Sequence, residues 1–283
     1  MDWASAAIVG ICAGLGAGIG TLIARLIPIG KAKIFSQIIF ASVGAFFGAQ
    51  FIEPIIKSQS GQYFVADMGE RDLIEQLREQ PFFARVFDDD PALEDVVRLR
   101  LEKAKAQGKD ALLREVQQVG AEIGQSKAPE YFKLAQDADL LAAITTISDV
   151  INVLAVKDPM LCTAWLFGSK NGQTYNLTQL TNVVGYDKIN RINRSLGRLV
   201  ENSLKEVPVY DATKAQTLVE QAAQAMIIVA GPEALPVIAE AVIPSSVAIG
   251  AAACKGVGEL YSNLLSHTPE ESTFALRHLF ASN

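Results

Sequence analysis

Two long apolar runs near the N-terminus constrain this chain more than anything that follows them. Residues 3–26 are 24 positions whose only charge is Arg25, and residues 34–56 are 23 positions whose only charge is Glu53. As helices rising 1.5 Å per residue, each would extend about 35 Å against a hydrocarbon core of roughly 30 Å, with its charge close to an end where headgroups are in reach. The link between them, Ile27-Pro28-Ile29-Gly30-Lys31-Ala32-Lys33, is short and carries a helix breaker, so the spans are expected to be antiparallel neighbours. A cleaved leader fits less well, because Met1-Asp2-Trp3 is not a cationic opening and the apolar run is longer than a leader needs. The expectation is a two-helix transmembrane hairpin over 1–57.

Cations set the expected orientation. Arg25, Lys31 and Lys33 sit in or beside the connecting loop, which places the loop in the cytoplasm and both ends of the hairpin outside it. For a bacterial inner-membrane protein the remainder of the chain would then be periplasmic. Lys57 and Arg71 beyond the second span reduce the asymmetry, and a cytoplasmic domain is the alternative.

Glycine spacing gives the hairpin contact surfaces. Gly10, Gly14 and Gly18 form one small-xxx-small series, and Gly16 with Gly20 forms a second on another face of the same helix. Gly44 and Gly48 lie with Ala41, Ala45 and Ala49 in one arc of the second span. Lipid supplies no hydrophobic drive between helices, so close backbone approach at glycine is how such helices associate. One face is satisfied within the hairpin. The other is expected to meet a second copy or another membrane subunit.

From residue 58 the composition changes. The whole chain has 25 basic and 31 acidic residues, and 1–57 hold four and two of these, so 58–283 carry 21 basic and 29 acidic, a net −8. That acidity argues against general binding of nucleic-acid phosphate. No repeat or long linker divides 58–283, and its start signals are helical. Asp90-Pro91 places a cap before a first-turn proline and opens a helix ending near Gly108. Ala128-Pro129 opens an apolar-periodic stretch through Leu140, Ile144, Ile151 and Leu154 to Asp158-Pro159, and Thr268-Pro269-Glu270-Glu271 combines a capping box with a first-turn proline. Residues 226–256 are apolar but interrupted by Pro232, Glu233, Pro236, Glu240 and Pro244, which predicts buried core helices rather than a third span. A small strand hairpin is expected where Trp165-Leu166-Phe167 and Thr174-Tyr175-Asn176-Leu177 flank Asn171-Gly172. The fold class read from these signals is all-α: a transmembrane hairpin (1–57) followed by an α-helical domain (58–283).

Chemical motifs are sparse. His267 and His278 are eleven residues apart and lack the i, i+4 spacing that aims two imidazoles at one metal, so a surface or helix-flank role is expected. Asp88-Asp89-Asp90 lacks the glycine and bidentate glutamate of a calcium loop, and capping explains it better. Gly168-Ser169-Lys170-Asn171-Gly172 lacks phosphate-loop order and reads as a turn. Cys12 is a packing residue of the first span; Cys162 and Cys254, far apart and without a CxxC motif, are expected as buried free thiols, with a bridge between them as the alternative if the domain faces an oxidising compartment. No metal, cofactor or catalytic residue is expected.

One constellation invites a binding role. Lys188, Arg191, Arg194 and Arg198 recur at helical spacing opposite Ile189, Ile192, Leu196 and Leu199, making a cationic stripe on an acidic domain. Its expected partners are lipid headgroups, an anionic wall polymer or an acidic partner helix; a solvated face balanced by Asp187 and Glu201 is the plain alternative. Together these features lead us to expect a non-enzymatic scaffold subunit of an envelope transport or secretion assembly, self-associating and in contact with membrane lipid and other envelope proteins. The alternatives are a pore-forming effector restrained by its helical domain and a membrane-proximal enzyme acting on lipid or wall polymer.

Overall fold

The helical domain is organised around an apolar helix that other helices cover on several sides. The computed structural model describes residues 73–79, 81–171 and 177–281, in which every regular element is an α-helix. Spans 3–26 and 34–56, with Gly10, Gly14, Gly16, Gly18, Gly20, Gly44 and Gly48, lie outside the described residues, as do Cys12 and the 57/58 boundary. In chain order the helices are α1 (Leu73–Arg78), α2 (Pro81–Asp89), α3 (Pro91–Ala106), α4 (Lys109–Leu134), α5 (Asp137–Lys157) and α6 (Pro159–Asn171). They are followed by α7 (Leu177–Val184), α8 (Tyr186–Glu201), α9 (Ala212–Glu240), α10 (Val247–Leu265) and α11 (Pro269–Ala281).

Helix α5 is the hub. Leu140, Ala143, Ile144, Ile147, Val150, Ile151 and Leu154 are fully buried, and α6, α7, α8, α10 and α11 all pack against it. Its buried positions spread round much of its circumference, as they must for a helix enclosed by neighbours. Helices α9 and α10 form the most extensive pair, approaching so closely that a Cβ on Gly256 would stand 2.8 Å from the Ala230 Cβ. Only glycine fits there. Near the start of the described residues, Phe82, Phe83, Val86 and Phe87 of α2 form an aromatic cluster that Tyr131 of α4 joins edge-on to Phe82. Burial pushes the Tyr131 phenol up, aided by its 2.9 Å hydrogen bond to Asp89.

Caps read from the sequence are in place. Asp90 accepts from the Leu93 amide at 3.1 Å, and α3 ends at Ala106 just before Gly108. Thr268 and Glu271 form the reciprocal box, each side chain accepting from the other's backbone N–H. Asp158 caps α6 through the Leu161 amide. Residues 226–240 and 247–256 lie in helices α9 and α10, joined by the non-helical residues 241–246. Helix α9 begins earlier than that stretch, at Ala212, and turns at Gly231 (φ +68°), a left-handed conformation that glycine tolerates, immediately before Pro232.

Two expectations are corrected. Trp165-Leu166-Phe167 is not a strand: it lies inside α6, and all three side chains are buried, where a half-buried strand would alternate. Leu177 starts α7, and 168–171 are helical rather than a turn. Nor does a helix begin at Ala128-Pro129. Helix α4 runs through Pro129 to Leu134, and the break comes at Ala135 and Gln136, both extended (ψ 144° and 147°).

That break is held by residues remote in sequence. Arg277 of α11, 1% exposed, donates to the Ala135 carbonyl and to the Asp137 carboxylate, while the Leu204 amide donates to the Leu134 carbonyl at 2.7 Å. The end of α4 thus has partners for carbonyls that a helix leaves unbonded.

Two lengths satisfy the span criterion by length and composition alone: α5 and α9 are long and apolar enough to cross a membrane. In α5 more than half of the qualifying window is buried inside the fold, as in the core helix of a soluble domain.

Arg277→Met is expected to lower stability by about 2 kcal/mol, because the buried Ala135 carbonyl loses its donor. Asp137→Ala is expected to cost more, about 3 kcal/mol, because it leaves the Arg277 guanidinium, 1% exposed, without its carboxylate. Urea denaturation of both variants checks the order; equal losses would contradict it.

Candidate functional site

Helix α8 is where the fold presents the predicted stripe. Gly185 (φ +96°) leads into it, Asp187 lies in its first turn and Arg198 in its last, both favourable to the helix dipole. Ile189, Ile192, Leu196, Leu199 and Val200 are buried against the core. Ser195, also buried, meets Thr146 of α5 at 3.0 Å, so a hydroxyl pair as well as apolar contact fixes the rotation of α8 on α5. Opposite this face, Arg191, Arg194 and Arg198 are exposed and Lys188 is half-buried at the edge. Arg191, Arg194 and Arg198 therefore share one side of the helix, whereas Lys188 falls between the buried Ser195 and Leu199 at the helix start.

Their pairing is weak. Arg198 comes within 3.9 Å of Asp139, whose carboxylate already accepts from Asn202 at 2.9 Å. Lys188, Arg191 and Arg194 make no ion pair among the described residues. Asp187 and Glu201, the balancing acids of the plain reading, are on the same helix but form no ion pair with it there.

Other charged clusters are consumed by the fold. Arg78 bridges Asp88 at 2.8 Å and Glu94 at 2.6 Å, Arg85 pairs with Asp89, and Lys127 meets Asp90 at 3.0 Å. Those contacts occupy all three consecutive aspartates, and Arg78 followed by Arg98 holds the Glu94 carboxyl below its ordinary value. Lys127 does the same for Asp90. Between α9 and α11, Lys214 contacts Glu271 at 2.8 Å, and this pair with the Thr268 box brings the Glu271 carboxyl down to about 2.

The histidines stay apart chemically. His267 precedes α11 with a buried, unpartnered Nε2, while His278 is half-buried on α11 against the Tyr210 ring, and burial lowers its imidazole despite Glu220 nearby. The expected surface role thus understates how far His278 is enclosed. Among the described residues, no group of three or more His, Cys, Asp or Glu side chains is placed to hold a metal ion.

Cys162 of α6 and Cys254 of α10 form a disulfide with Cα atoms 6.3 Å apart, both side chains fully buried. Sequence separation is 92 residues, and nothing in the local spacing announced the pairing. The bond joins the start of α6 to the start of α10, where Gly250 also lies close to Pro159, Met160 and Pro244.

A further surface was not anticipated. Ile228 and Val229 of α9, and Val242, Ile243 and Val247 beyond it, are exposed large apolar side chains. In the part of α9 after the Gly231 turn, Pro232, Glu233, Pro236 and Glu240 are exposed and fall within one arc of about 100°. The sequence signal was available in the i, i+3/i+4/i+7 pattern of these residues, but the prolines made the stretch read as a breaker.

Compared with known proteins, the chain matches no family model, no curated protein and no solved structure.

Two measurements test this chemistry. Denaturing alkylation without reductant is expected to label one of the three cysteines, and all three after reduction; reduction is expected to cost about 2–4 kcal/mol in unfolding free energy. Three labelled thiols before reduction would contradict the bridge. For Glu271 the folded-state value is depressed, so its stabilisation is present above the unfolded value near 4.5 and is lost as pH falls towards about 2. The Tm difference between wild type and Glu271→Gln should accordingly shrink over that acid window, as followed by thermal melts.

Proposed function

We propose that this protein is a membrane-anchored, non-enzymatic scaffold subunit of an envelope assembly. In this reading the spans 3–26 and 34–56 anchor and cluster it through glycine-lined contacts, and the helical domain presents binding surfaces to an anionic partner. The observation that carries the reading is the division of α8: one face is locked into the core by Ile189, Ile192, Leu196, Leu199 and the Ser195–Thr146 hydroxyl pair, while the other holds out Arg191 and Arg194 without acidic partners among the described residues. A guanidinium free of internal pairing keeps its planar fork of donors for carboxylate or phosphate.

Two independent observations support the compartment in this reading. Loop cations Arg25, Lys31 and Lys33 favour a cytoplasmic loop. The buried Cys162–Cys254 bridge favours a domain that folds in an oxidising environment, since thiols stay reduced in the cytosol. Both point to a bacterial inner-membrane protein with a periplasmic domain.

A second reading, a pore-forming effector, draws on α5 and α9, each long and apolar enough to cross a bilayer if the domain opened. Its cost would be to expose the covering helices and bring Asp149 of α5 into lipid.

Carbonate extraction is expected to leave the full-length chain in the membrane pellet, and detergent purification to recover other envelope proteins with it. Charge reversal at Arg191 and Arg194 should deplete those partners. Release by carbonate would overturn the anchor. Ion leakage from cells expressing the protein, with nothing co-purifying, would favour the effector.

A further inference from the structure

We infer that the cationic face of α8 in one copy docks on the outer face of α9, beyond Gly231, in a second copy of this chain. The inference rests on reading the α8 stripe as a site for an anionic partner and names that partner.

Charge register is the first argument. Arg191 and Arg198 are seven residues apart on α8, and Glu233 and Glu240 are seven residues apart on α9. Seven residues are nearly two whole turns, so each pair lies on one face with about 10.5 Å between members. Both glutamates are exposed and form no ion pair among the described residues; Arg191 is equally free, and Arg198 has only its 3.9 Å approach to Asp139. Two cations and two carboxylates of matching pitch are thus exposed without an ion pair among the described residues, the Arg198 approach to Asp139 aside.

Surface chemistry is the second. Within the arc of the glutamates Pro232 and Pro236 are exposed, and before the Gly231 turn Ile228 and Val229 are 80% and 43% exposed. Arginine suits such a face, because its methylene stem covers apolar surface while its head reaches an acid. A lipid bilayer suits neither side as well: anionic headgroups repel Glu233 and Glu240, and Asp187 and Glu201 dilute the α8 stripe.

Copy number is the third. A domain of net −8 repels its own kind unless opposite charges are brought into register, and α8 supplies a local net of +2 from four cations and two acids. The two faces are different surfaces, so the contact is heterologous, and head-to-tail repetition yields a ring or a filament. Tethering to one bilayer would raise the effective concentration at which the faces meet.

The test uses the full-length chain in native membranes with Cys12→Ser. One tagged copy carries Arg194→Cys and a differently tagged copy carries Pro236→Cys, and a short bismaleimide is added. A 194-to-236 crosslink between copies is expected, weakened at least about tenfold by Arg191→Glu with Arg198→Glu in the first copy. It should return when the second copy carries Glu233→Lys and Glu240→Lys. No crosslink with native charges, or a crosslink indifferent to reversal and rescue, overturns the inference. Should reversal instead abolish capture of anionic vesicles or of another protein while no crosslink ever forms, the α8 stripe keeps its anionic partner and only the second-copy docking falls. Glycine-seam association is separable, because it does not respond to these charges.

Discussion

Burial of α5 is the constraint on which the remaining helices depend. A helix with Leu140, Ile144, Ile147, Ile151 and Leu154 all withdrawn from solvent needs neighbours on several sides at once. Helices α8, α10, α11, α6 and α7 supply them. Each of these helices therefore needs an apolar stripe facing α5, and what it can offer to the outside is whatever remains. On α8 the remainder is cationic, and on the part of α9 beyond Gly231, a helix that packs on α10 and α11, it includes two prolines and two glutamates.

Charge is used in two different ways in this domain. In α1 to α4 the ionisable groups act across helix boundaries: Arg78 joins α1 to α2 and α3, Arg100 joins α3 to Glu115 and Glu122 of α4, and Lys127 returns from α4 to the α3 cap. Pairs of this kind are individually modest but fix relative positions when they share partners. On α8 and distal α9 the charges lack such partners among the described residues, the Arg198 approach to Asp139 aside. An unpaired exposed charge costs the folded monomer little, so it persists at a contact site without penalty to the fold.

The Cys162–Cys254 bridge and the buried Arg277 hold the two ends of the architecture. The disulfide ties α6 to α10 near the end of α5, and Arg277 ties α11 to the break at its beginning. Both join segments far apart in sequence, 92 residues in one case and about 140 in the other. The disulfide restricts the unfolded chain, which a hydrogen bond cannot do, and both contacts are met last in a local reading of the sequence.

Local signals were legible from the residues alone. Asp90-Pro91, Asp158-Pro159 and Thr268-Pro269-Glu270-Glu271 each marked a helix start because capping needs only a side-chain oxygen and a nearby N–H. The amphipathic division of α8 was equally visible, because 3.6-residue periodicity sorts side chains before any packing occurs. What the sequence could not decide were choices made by distant groups. Trp165-Leu166-Phe167 became helix because the site encloses all three side chains. The break fell at Ala135 rather than Ala128 because Arg277 and the Leu204 amide satisfy the carbonyls there. Pairing of Cys162 with Cys254 likewise emerged only when α6 and α10 came together. Capping and periodicity are interactions over three or four residues and so are written in the chain; burial and long-range satisfaction depend on which surfaces meet, and that exists only in the folded molecule.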